Sequence, residues 1–92
     1  MVSTEVAFEL LRARMDRGGL PVPDALETTW RTTMTAAIER LERTGIILTD
    51  SVSDALLVSD YTAYLLTNRD SAGGEPEWLR SAIRNRWIQQ RR

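Results

Sequence analysis

The chain has no cysteine and no histidine among its 92 residues. Without thiols there is neither a disulfide framework nor a thiolate metal site. Without imidazole the commonest general base and the commonest neutral metal ligand are missing too. Lysine is also absent: all 12 basic residues are arginine, a pattern that a GC-rich genome and bidentate guanidinium chemistry both produce. No apolar run approaches the roughly 20 residues that span a bilayer. The first residues carry Glu5 and Glu9 among their apolar neighbours and lack the basic-then-apolar layout of a signal peptide. These absences set the expectation of one soluble, intracellular domain over residues 1–92, with no membrane partner. A chain of this size hides only about 60% of the surface its unfolded form exposes, so its core is thin and help from neighbouring subunits is expected.

The carboxylates that remain do not assemble an obvious reaction centre. Asp50 with Asp54 sit where helix-start capping accounts for them, and Glu75 with Glu77 belong to a solvated loop. Gly73-Gly74 lacks the Gly-Lys-Ser/Thr ending of a phosphate cradle and is bracketed by Asp70, Glu75 and Glu77, which repel phosphate. The expectation is a protein without catalytic residues, metal or cofactor.

What the chain does have is helical periodicity broken at clear points, with no sustained alternation to support a sheet. A first helix is expected over 4–16, with Ser3 as N-cap, Phe8, Leu11 and Met15 on one face, and Gly18-Gly19 ending it. Leu20-Pro21-Val22-Pro23 reads as an extended linker. A second helix over 25–44 opens on Asp24 and Glu27 at capping-box spacing, then carries Leu26, Trp30, Met34, Ala37, Ile38 and Leu41 as one apolar stripe. Gly45 suits the left-handed position after its last turn, with Ile46 folding back. A third helix over 52–68 follows Ser51 and Asp54, again at capping-box-like spacing, and is apolar nearly all round. That helix must be covered on nearly all sides. Its residues Leu57, Val58, Tyr61, Tyr64 and Leu65 are therefore candidates for a subunit interface. Asp60 interrupts the run, either on a solvated strip or paired with an arginine. After a Gly-containing loop over 71–75, Pro76 fits the first position of a fourth helix over 76–89, where Leu79, Ile83 and Trp87 repeat along one face and Arg80, Arg84 and Arg86 lie off it. The fold class expected is all-α, a compact bundle of about four helices, with Phe8, Leu11, Trp30, Met34, Ile38, Leu41, Leu56, Ala63, Leu66, Leu79 and Ile83 in the core. Trp30, Trp78 and Trp87 fit core anchors, with Trp87 the best placed of the three to serve an interface.

Charge is distributed unevenly. Residues 1–79 hold all 13 acids and seven arginines, whereas residues 80–92 hold five arginines and no acid. An acidic body with a basic end points to an anionic partner, nucleic acid or acidic protein surface, while basic residues in a last turn also complement the helix dipole.

Gly45-Ile46, the tyrosine-bearing apolar run over 55–66, Asn68-Arg69-Asp70 and Pro76-Glu77-Trp78-Leu79 follow one another at short spacing. That order, across residues 26–92, resembles the small head-tail connector proteins of tailed phages. In that family a helix ending in a Gly-hydrophobic pair leads to a mostly buried helix, an Arg-Asp loop, and a Pro-opened helix ending in basic residues. The resemblance implies a non-enzymatic virion adaptor that forms a homo-oligomeric ring, usually twelvefold, beneath the portal protein. Such a ring joins the capsid vertex to a neck or tail-completion protein and extends the channel through which genome DNA passes without sequence readout. It also implies localisation at the virion neck after assembly in the bacterial cytoplasm. The matching portal-docking region is Arg80, Arg84, Arg86, Trp87, Ile88, Arg91 and Arg92. The short N-terminal region and compact loops depart from many members of that family. A small DNA-binding helical regulator is the alternative, because an Arg-rich last helix can enter a major groove. The segment over 69–75 is too long and Gly-rich for the tight turn of a helix-turn-helix.

Overall fold

Local sequence places each helix start. The computed structural model describes residues 2–15, 22–67 and 75–91. In α1 (Thr4–Met15) the Ser3 hydroxyl accepts from the Val6 amide at 3.3 Å, as an N-cap should. Ala7, Phe8 and Leu11 face inward and are buried. The glycines expected to end this helix, much of the following linker, and most of the Gly-containing loop lie outside the described residues.

The start of α2 (Asp24–Arg43) differs from expectation. Pro23 occupies the N-cap, extended at φ −61° and ψ 150°, and no side chain caps the helix. The Pro23 carbonyl instead accepts from the Glu27 amide at 2.9 Å. Proline can take this place because an N-cap needs no amide of its own, and Asp24 moves into the first turn, where its charge complements the dipole. Pro76 does the same one residue ahead of α4 (Glu77–Gln90), at φ −68° and ψ 157°. The wet face of α2 is rich in threonine, and Thr28, Thr29, Thr33 and Thr35 each donate their hydroxyl to the carbonyl four residues back.

The far end of α2 closes as expected. Gly45 has φ 98°, its amide donates to Glu42 at 3.0 Å, and the Ile46 amide donates to Leu41 at 3.3 Å. These two bonds make a Schellman termination, and they turn Ile46 into the core, where it is buried.

Along α3 (Val52–Thr67), Ser51 accepts from the Asp54 amide at 3.2 Å. Asp54 does not complete the box; its carboxylate is used elsewhere. Ala55, Leu57, Val58, Tyr61 and Ala63 are buried, and the hydroxyls of Ser59 and Thr62 are satisfied by the Leu56 and Val58 carbonyls. Leu56, expected in the core, stands 46% exposed.

The fold is an all-α bundle with α3 at its centre, packed mainly against α1 and α2 and more sparingly against α4. Its shortest extent is 20 Å, which is about two helix diameters and so two layers of helices. Phe8 and Trp30 meet at 6.3 Å between ring centroids, tilted by 55°, and join α1 to α2. The Arg31 guanidinium lies 4.1 Å from the Phe8 ring and pairs with Glu27 and Glu5, which closes the same seam from outside. Ile38, Leu66 and Ile83 pack at the margin of the core and not in its centre. Among the described residues, no helix is long and apolar enough to cross a membrane.

Candidate functional site

Successive helical residues rotate by about 100°, so the fourth helix divides into distinct stripes. Leu79, Ile83, Arg86 and Gln90 share the side turned to the bundle. Arg80, Arg84, Trp87 and Arg91 form an adjacent stripe, with Arg80, Arg84 and Arg91 exposed. Arg91 lies over the Trp87 ring at 4.6 Å. Ile88 is 41% exposed, and Arg92 is outside the described residues. Among the described residues, no carboxylate pairs with Arg80 or Arg91, and Arg84 reaches Glu77 only at 4.0 Å.

Arg86 does not belong with this exposed set. Its side chain is 14% exposed and its Nε donates to Asp54 Oδ1 at 2.6 Å. Its Nη2 donates to Asp54 Oδ2 at 3.0 Å and to the Ile47 carbonyl at 2.8 Å. The Asp54 carboxylate, buried among these groups, also accepts from the amide and hydroxyl of Thr49. Burial pushes its carboxyl up, but the bonds from Arg86 and Thr49 outweigh burial and hold it below the usual carboxylate range. Gln90 completes the arrangement by donating Nε2 to the Gly45 carbonyl and accepting from the Ile47 amide at 2.8 Å. The result is a polar latch that fastens the second half of α4 to the connection between α2 and α3. The neutralised Arg86 is corrected from a docking residue to a structural one, because its charge is consumed inside the chain.

The expected interface residues on α3 are also relocated. Leu57, Val58 and Tyr61 are buried within the single chain, and Tyr64 and Leu65 are half-buried. The apolar excess of α3 is thus largely met by its own bundle. Exposed apolar side chains lie elsewhere: Ile47, Val52 and Leu56 around the start of α3, Val6 on α1, and Trp78 and Ile88 on α4. Trp78, expected alongside the packing face, is 49% exposed, with Arg14 5.6 Å from its ring. Asp60 pairs with Arg14 at 2.7 Å. Burial raises its carboxyl more than Arg14 lowers it.

Beside the arginine stripe lies a cleft of about 380 Å³ between α4, α3 and the end of α2. Tyr61, Ile83 and Trp87 form apolar walls, with Arg80 and Arg84 along one side. The Tyr61 hydroxyl donates to Glu75 at 2.5 Å. Burial and that carboxylate raise the phenol above its ordinary range, against a smaller lowering by Arg40. No group of acidic residues among those described is arranged to hold a metal ion. The latch and the cleft leave little trace in the sequence because both depend on residues far apart in it; the one local sign is an aspartate in the first turn of α3. Comparison with protein-family models, curated proteins and solved structures gave no match.

Proposed function

We propose that this protein is a structural adaptor of the phage neck, assembling as a ring beneath the portal and docking through its C-terminal helix. The observation that carries the reading is the exposed stripe of Arg80, Arg84 and Arg91, with Trp87 among them and Ile88 beside it. Guanidinium forks next to apolar anchors are a composition enriched at protein interfaces. The sequence resemblance supplies the identity of the partner; the charge separation supports a surface made for an acidic one.

Ring closure requires two different patches on each subunit. Ile47, Val52 and Leu56 add exposed apolar side chains outside the arginine stripe. Two features weigh against the DNA-reading alternative. Arg86 is withdrawn from the surface by Asp54, and Glu75 and Glu77 stand at the start of the same helix.

Replacing Arg80, Arg84 and Arg91 by glutamine tests the reading, since all three are exposed and circular dichroism should be unchanged. The triple variant should fail to attach to portal-bearing heads from the genome that carries the gene. Normal attachment, together with sequence-selective and steeply salt-dependent duplex binding, would refute it.

A further inference from the structure

We infer that the cleft between α3 and α4 is a receptor for an acidic peptide segment of a partner protein, one that inserts a bulky apolar side chain and sets a carboxylate against Arg80 and Arg84. The inference rests on the docking reading only in placing a protein partner on α4. The cleft's volume of about 380 Å³ falls within the range of roughly 300–1,000 Å³ typical of binding pockets. Its walls, Tyr61, Ile83 and Trp87, suit an aromatic or leucine-sized anchor. Arg80 and Arg84 are one helical turn apart beside it, and neither has a close counter-ion among the described residues, apart from the 4.0 Å approach of Glu77 to Arg84. Two guanidinium forks at that spacing can share one carboxylate or take two.

Other anions fit less well. Glu75 lies in the cleft wall, bonded to Tyr61, and Glu77 approaches Arg84 at 4.0 Å. A phosphate dianion or a nucleic-acid backbone would meet both, whereas a single carboxylate can be oriented toward the arginines. A second copy of this chain is also a poor occupant. Its exposed acid-apolar-acid stretch, Glu5, Val6 and Glu9, already has both carboxylates engaged by Arg31 and Arg12.

The test uses a capped, fluorescein-labelled peptide of sequence Ser-Leu-Phe-Asp-Ser, with one control peptide carrying the amide Asn in place of Asp and another carrying Ala in place of Phe. Fluorescence anisotropy should show the acidic peptide binding at least about tenfold tighter than either control, and Arg80→Gln/Arg84→Gln should weaken it by about the same factor. In amide-detected NMR the Trp87 indole N–H should shift on titration while that of Trp30 stays put. Equal binding of the amide peptide, an unmoved Trp87 signal, or no binding at millimolar peptide would overturn the inference. So would tighter binding of oligothymidylate to the same residues, or displacement of the peptide by self-association. Because the assay needs no heads, a peptide that binds while head attachment survives the arginine variant would refute the docking proposal alone. A peptide that fails while attachment is lost would refute only the cleft.

Discussion

Replacing Arg86 by alanine should be among the most damaging single changes available to this chain. The guanidinium makes two bonds to Asp54 and one to the Ile47 carbonyl, and Asp54 has a side chain only 2% exposed. Removing the cation strands a buried carboxylate whose remaining donors come from Thr49. Breaking a buried pair from one side costs about 3–5 kcal/mol, a large share of the roughly 5–15 kcal/mol that holds a domain together. The cost must also depend on pH. Asp54 has a folded-state pKa below its unfolded value of about 3.9, so its stabilisation is fully present above that value. It is lost as pH falls through the depressed folded pKa. Arg86→Ala should therefore differ from the native chain by several kcal/mol at pH 7 and by much less at pH 2, measured by urea unfolding followed at 222 nm. The double variant Asp54→Asn/Arg86→Ala should recover part of the loss at neutral pH. A deficit under about 1 kcal/mol at pH 7, within the range of an exposed pair, would refute the account. A deficit that does not shrink in acid would refute it equally.

Gly45→Ala should cost about 1–2 kcal/mol from the left-handed backbone alone, and more because the new Cβ would lie 3.2 Å from Trp87 Nε1. Urea melts and a change in indole fluorescence would report the two parts. Trp30→Ala empties the seam between α1 and α2 and should destabilise the fold by about 3–5 kcal/mol in chemical denaturation. Asp60→Asn should behave in the opposite way to Arg86→Ala. The raised carboxyl of Asp60 favours the folded state when protonated, and that contribution fades as pH rises through its folded pKa. The amide variant should thus match or exceed native stability at pH 7, and a clear loss in thermal melts would contradict this.

The helices were legible because their boundaries are written in local chemistry. Ser3, Ser51 and Gly45 act within one turn of themselves, and the bonds they make are those their side chains or backbone freedom call for. Pro76 fits the first turn of α4 yet stands at its N-cap, and Pro23, which reads as linker ahead of an Asp24 cap, is itself the N-cap of α2; each of these positions tolerates a missing amide, and the sequence does not distinguish them. What periodicity could not give was which neighbour covers which face. Leu56 and Leu57 look alike along α3, yet only Leu57 is buried. Arg84 and Arg86 look alike along α4, but Arg86 meets an aspartate 32 positions away. Such pairings depend on how helices rotate against each other, and a single chain carries no local record of that rotation. The cleft has no signature in the sequence for the same reason: its walls come from the third and fourth helices and the end of the second.

The connection over residues 44–51 works as a ruler. Through it, the Gly45 and Ile47 carbonyls and the Thr49 donors are each set opposite a particular atom of Gln90, Arg86 or Asp54. Adding or removing one residue there would leave both flanking helices intact, yet it would displace every one of these partners by the span of a peptide unit. Most surface connections absorb changes in length at little cost; this one should not. Natural or laboratory variants of the chain are expected to change its composition freely at exposed Asp50 while keeping its length fixed.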